Sequence, residues 1–216
     1  MLAPARATLA GAALAAALLC SVPVWADSVA LGYSIRKEGE PIGQERVTIN
    51  RDGEAALVEV RTTTRAKVLF LEFHYDHSRR EEWQGGKLVR MVADTDDDGT
   101  KSKLEAVRGE NGWTMIVNGQ SAERAGDQLP LTLWGRAILD RKELFSIIDA
   151  KPYRVQVAAL GNESVSLDGK VQQADHFRIT GDVERDLWYG ADGYLLKAAF
   201  QRSGYPIEVV RIERRP

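Results

Sequence analysis

The chain has 216 residues, with 29 lysines and arginines against 31 aspartates and glutamates, a formal net charge of −2 and one cysteine. A chain of this length suits one domain with a real core. Without a basic surplus, neither nucleic acid nor an anionic membrane surface is expected as the main partner, and a lone thiol excludes a disulfide framework.

Arg6 gives a slightly positive start, followed by an Ala/Leu-rich run from Ala7 to Leu19. Val24-Trp25-Ala26 then places small residues where a signal peptidase reads. This pattern is expected to be a signal peptide over residues 1–26, cleaved after Ala26. The apolar run is shorter than the roughly 20 residues that span a bilayer, so neither an uncleaved anchor nor stable membrane insertion is expected. Cys20 lies inside the segment, and Ala17-Leu18-Leu19 before it lacks the small residue of a lipoprotein box. Residues 27–216 are therefore expected to form one exported domain, periplasmic or secreted, with 28 basic against 31 acidic residues once Arg6 is removed.

From Val29 the chain reads as strand, turn, strand. Leu31, Tyr33 and Ile35 alternate with small or polar residues, Gly39-Glu40-Pro41 turns the chain, and Ile42 to Ile49 returns. Asp52-Gly53 is a tight-turn signal, and Ala55 to Ala66 is a third strand.

The densest apolar alternation follows, AKVLFLEFHYDHSRREEWQGGKLVRMVADTDDDG over residues 66–99. Its odd positions are Leu69, Leu71, Phe73, Tyr75 and His77, then Glu81 and Trp83, while its even positions are mostly charged. Strand side chains alternate between faces, so one face is aliphatic and aromatic. A helix would scatter the charges around its axis. Gly85-Gly86 allows a reversal, and KLVRMVA returns, so this stretch reads as a hairpin. Lys101 to Arg108 and Trp113 to Val117 make another, turned at Asn111-Gly112 and closed by Asn118-Gly119.

Between Ser121 and Ala150 the rhythm changes. Pro130 is suited to a first helical turn, and Leu131, Trp134, Ile138 and Leu139 recur at helical spacing, although Gly135 weakens the segment. A short helix is expected there. Strands resume at Tyr153–Leu160, Ser164–Leu167, Val171–Ile179, Val183–Tyr189, Tyr194–Gln201 and Ile207–Glu213, separated by glycine-containing turns. Many short strands at regular spacing indicate an antiparallel barrel or sandwich. The expected fold is mainly β, a curved antiparallel sheet (an open or half barrel) with one or two short capping helices.

Three constellations invite a chemical reading. Asp94, Asp96, Asp98, Gly99 and Glu105 fit the written spacing of a calcium-binding loop. In a strand, however, Glu105 would run roughly 20 Å past Gly99 at ~3.3 Å per residue, far from the 2.3–2.6 Å a calcium ligand needs. A hairpin turn is the expected reading. His74 and His77 face opposite ways in a strand, and no cysteine is available as a ligand, so neither a metal nor another cofactor is expected. Tyr75 and His77 extend the apolar stripe. They read either as a hydrogen-bonded polar pair at the sheet's end or as the orienting polar groups of an apolar cavity, with His77 able to act as a base. The chain contains no nucleophile elbow, HExxH, phosphate-cradling glycine loop or CxxC.

The run YSIRKEGEPIGQERVTI, the Tyr75/His77 and Glu81/Trp83 pairs, TDDDG, Leu129-Pro130 with Trp134, and DLWY resemble an uncharacterised family of exported proteobacterial proteins. That family is distantly similar to the group of bacterial lipoprotein-localisation factors. The resemblance implies an open, strongly curved antiparallel sheet whose concave face is capped by short helices and can hold acyl chains.

The expected function is non-enzymatic binding of a hydrophobic or lipid-like molecule in the concave face. Leu69, Leu71, Phe73, Tyr75, His77, Trp83 and Trp134 are its candidate ligand-binding residues. One alternative is an envelope module that docks a partner through an exposed edge strand such as Ile207–Glu213. The other is a hydrolase pairing His77 with Glu81 or with the acidic residue of the Arg185-Asp186 pair.

Overall fold

A computed structural model describes residues 27–68 and 71–216. The expected leader, Leu69 and Phe70 lie outside the described residues. The strands are β1 (Asp27–Lys37), β2 (Glu40–Asp52), β3 (Ala55–Val68), β4 (Leu71–Gln84), β5 (Lys87–Asp97), β6 (Thr100–Gly109), β7 (Gly112–Val117) and β8 (Gln120–Ala125). After a two-residue β9 (Leu129–Pro130) come β10 (Glu143–Phe145), β11 (Pro152–Leu167), β12 (Lys170–Gly181), β13 (Arg185–Tyr189), β14 (Leu195–Arg202) and β15 (Tyr205–Arg215).

All belong to one sheet, in the order β8-β7-β6-β5-β4-β3-β2-β1-β15-β14-β13-β12-β11-β10-β9. Its neighbours are antiparallel except β9 and β10. The expected hairpins form because their turns contain residues that tolerate positive φ. Between β5 and β6, Asp98 (φ 52°) and Gly99 (φ 87°) are both left-handed, as a two-residue hairpin turn of matching twist requires. Asp96 caps that turn, its carboxylate accepting the Gly99 N–H at 2.8 Å. Glu105 instead accepts from Arg90 at 2.7 Å.

The two edge strands, β8 and β9, are consecutive in sequence. The step from Ala125 to Leu129 spans at most about 14 Å when extended, so the sheet must curl until its edges nearly meet. It is a curved, barrel-like sheet that does not close. Because β1 pairs with β15, the last strand lies mid-sheet. Ile207–Glu213, expected as an exposed edge, is therefore paired along its length by β1 and, over Ile207–Val210, also by β14.

Period-two alternation sorts side chains between the faces. Val29, Leu31, Tyr33 and Ile35 of β1 join Val47, Ile49, Val58 and Val60 in one inner core. The hairpin β11–β12 is interrupted by a register shift at Ala159/Gly161. Its far half supplies Val165, Leu167 and Ala174 to a second small cluster, with Leu196 and Val210.

The segment between β8 and β11 crosses the interior, burying Ile138, Leu144 and Phe145 completely. Its expected helix reduces to a 3₁₀ turn at Arg136–Ile138. The reason lies in competing partners. Leu131 N–H bonds to Phe145 O at 2.8 Å, and Gly135 is extended and bridges to Tyr194. The backbone thus spends part of its hydrogen bonding on neighbouring elements, and what is left closes only short turns such as Leu139 N–H to Arg136 O at 3.0 Å.

Candidate functional site

Cross-strand register divides the interior into two halves. Tyr33, Glu45, Thr62, His77, Thr95 and Ser102 stand directly opposite one another across β1 to β6. They form a polar row on an otherwise apolar face. Four residues along each strand from β2 to β6 lies a second row, Ile49, Val58, Glu81, Met91 and Ala106, every member 0 % exposed. On that side the interior is solid, filled by Trp113, Met115, Leu104 and Phe145. On the other side it opens into a cavity of about 620 Å³.

Glu45, Thr62 and His77 of the polar row form the floor of this cavity, and the row finds its hydrogen-bond partners within the protein. Thr62 Oγ1 donates to Glu45 at 2.7 Å, and Ser102 Oγ to Ile148 O at 2.7 Å. Burial raises the pKa of the Glu45 carboxyl, against the pull of the Thr62 hydrogen bond and Arg79. His77 is set by its partners. Arg79 Nη1 can only donate, so His77 Nε2, 3.1 Å away, accepts. The ring proton then sits on Nδ1 and goes to Thr95 Oγ1 at 2.8 Å. Burial, reinforced by the Arg79 charge, pushes the His77 pKa down to about 3. Tyr75 stacks against His77 with ring centroids 6.0 Å apart, and burial raises its pKa to about 12.

Beneath the floor, Glu81 is held by three donors. Arg79 Nε reaches it at 2.7 Å, Trp134 Nε1 at 2.9 Å and Trp83 Nε1 at 3.0 Å. Arg79 Nη2 also donates to Thr132 Oγ1 at 3.0 Å, tying the crossing segment to β4. The pairing required for a hydrolase is not assembled. Glu81 bonds to Arg79 and the two indoles rather than to His77, and Asp186 faces His176 and Arg178 on the other surface of β13.

Of the candidate residues, Phe73, Tyr75, His77 and Trp134 line the cavity. Phe73 is 41 % exposed near the rim. Trp83 stands one layer back, edge-on to Trp134 at 5.8 Å. Leu71 opens β4, but its side chain, like all of Leu69, lies outside the described residues. His74 faces away from His77 and pairs with Asp96 and Asp98.

Several lining residues lie outside the expected set. Arg79 could have been found by continuing the odd positions of β4, since it lies between His77 and Glu81. Glu45 alternates with Val47 and Ile49 and was legible in the same way. Arg185, Phe200 and Arg202 reach the cavity only because β13 and β14 curl to face β4, and nothing in their own segments announces it.

Residues 33–212 match the family model of a domain of unknown function, DUF6134. No curated protein matches the chain. Among solved structures, the chain is similar to a β-barrel-like protein of a domain of unknown function, DUF1849, from Brucella abortus. The identity is 14 %, the TM-score 0.63, and the match covers 87 % of this chain and 96 % of that one.

Proposed function

This chain belongs to the DUF6134 family, and from the cavity enclosed by its sheet we propose that it is an exported, non-enzymatic protein that holds an apolar, lipid-like molecule on its concave face. One observation carries the reading. Protein interiors are close-packed, with few voids larger than a water, yet half of this interior is packed solid and the other half leaves about 620 Å³ unfilled. That volume falls within the roughly 300–1,000 Å³ typical of small-molecule sites. Its walls are apolar where they leave the floor, with Ile35, Val47, Phe200, Ile207 and Val209 among them. The few polar groups of the floor already have partners within the protein, so the guest they accommodate is greasy rather than richly hydrogen-bonding. Export is supported by the leader pattern of residues 1–26. The likeness of the sequence motifs to exported proteins near the lipoprotein-localisation group points in the same direction.

Native mass spectrometry of freshly purified protein tests this. The expected result is a mass series carrying a co-purified lipid-sized adduct that organic extraction removes. Bare protein alone, from every preparation and expression host, would contradict it.

A further inference from the structure

We propose that the cavity takes a single-chain amphiphile with an anionic head, the head bound at the mouth by Arg185 and the tail laid inward over Phe200 and Val209. This rests on the carrier reading above and adds the chemistry of the guest.

The strand ends define the mouth. Lys37 closes β1, Arg202 closes β14, and Tyr205 and Arg185 open β15 and β13. All four line the cavity. Each of the three cations is backed by an aromatic ring. Lys37 Nζ lies 4.0 Å from the Tyr205 centroid, the Arg185 guanidinium 4.2 Å from Phe200 and that of Arg202 4.5 Å from Tyr75. Such faces hold the stems and leave the charged heads available.

Lys37 and Arg202 already have carboxylate partners, Glu38 at 2.9 Å and Asp97 at 2.7 Å. Arg185 differs. Among the described residues no carboxylate lies within 4.0 Å of it, and of its five N–H donors one is used, Nη1 to the Glu184 carbonyl at 2.7 Å. A half-buried guanidinium without a counter-charge is costly to keep. Burial lowers its pKa, Arg202 adds to that effect, and Tyr153 opposes it. A carboxylate or phosphate placed there would offset both costs and meet the planar donor fork that suits such groups.

The floor is a poor alternative for the head, because Thr62 and His77 already have partners and Glu45 would repel an anion. Size favours one chain. At about 30 Å³ per water-sized group, about 620 Å³ admits about twenty such groups, which fits one long acyl chain with its head rather than two chains.

Displacement of the neutral dye Nile red from the full mature protein tests this with three competitors: oleate, oleyl alcohol and acetate. Oleate is expected to bind about tenfold or more tightly than oleyl alcohol, and acetate, a head without a tail, not to displace the dye. In Arg185→Met the preference for oleate should vanish while oleyl alcohol binds as before, and Arg185→Lys should restore part of it. Equal affinity for oleate and oleyl alcohol in the wild-type protein would overturn the inference and leave the carrier reading intact, whatever the fate of the variants. Displacement by acetate at oleate-like concentrations would overturn it too, in favour of a small-anion site. If neither dye nor either oleyl compound binds, the carrier reading falls and takes this one with it.

Discussion

Glu81 sits at 0 % exposure with three N–H donors around its carboxylate, one of them from the Arg79 guanidinium. Removing one partner of such a pair leaves the other buried without compensation, at a cost of about 3–5 kcal/mol. Glu81→Ala is therefore expected to lose about that much stability in urea unfolding, with the fluorescence of Trp83 and Trp134 shifted in the native state. A loss below about 1 kcal/mol would place the pair among weak surface interactions and contradict the network. His77 makes a pH prediction. Its pKa is about 3 when folded against 6.5 in the unfolded chain, so between those values the unfolded chain binds the extra proton and stability falls as pH drops. Glu45, with its pKa raised, works in the opposite sense, its contribution being lost as pH rises. The comparison with His77→Gln removes that common term, and the variant should lose less stability than the wild type from pH 6.5 to 4. Parallel curves would contradict the assignment. At this scale, strict alternation made Tyr75, His77, Glu81 and Trp83 legible as one face. It did not reveal that a charged pair, Arg79 and Glu81, would be buried on that face, because a charge at an inward position is stable only with partners, and one of these, Trp134, comes from 53 residues away.

Strands and turns were the more legible elements, because Asp-Gly, Asn-Gly and Gly-Gly pairs supply positive φ locally and need no tertiary context. The segment from Pro130 to Asp140 was less so. Its helical spacing is real, but bonds to β10 and to Tyr194 outcompete the helix. Cross-strand contact makes a further prediction at Gly43 on β2. A Cβ there would lie 2.2 Å from the carbonyl oxygen of Thr63 and 2.8 Å from the Thr64 Cα, both backbone atoms that cannot turn aside. Gly43→Ala should cost about 1–3 kcal/mol, read as a fall in Tm of about 2–4 °C per kcal/mol. Gly135→Ala is the control. Gly135 is extended (φ −140°) and nothing lies within 4 Å of its missing Cβ, so it should be tolerated. Equal Tm values for the two variants would contradict the close approach of β2 and β3.

For the whole molecule, the curl of the sheet decides what the protein can do. A flat sheet would expose its inner face, and a tightly closed small barrel would fill it with side chains. The sheet here winds until β8 and β9 are three residues apart in the chain, and the crossing segment fills one half of the trough. The floor row and the aromatic-backed mouth bound what is left. The 14 % identical structure from Brucella abortus shares this architecture, so the curvature is a property of the fold.

The central claim, that the upper half of the interior is vacant and takes an apolar guest, is tested most directly by Nile red titration of the wild type and Val209→Trp, with Tm measured on both. Val209 lines the cavity wall, so an indole there should occupy the vacancy, weaken dye binding about tenfold or more and leave Tm unchanged or raised. In a filled interior the same substitution would overpack, costing about 1–3 kcal/mol. A lowered Tm, together with a wild type that binds no dye, would contradict the account.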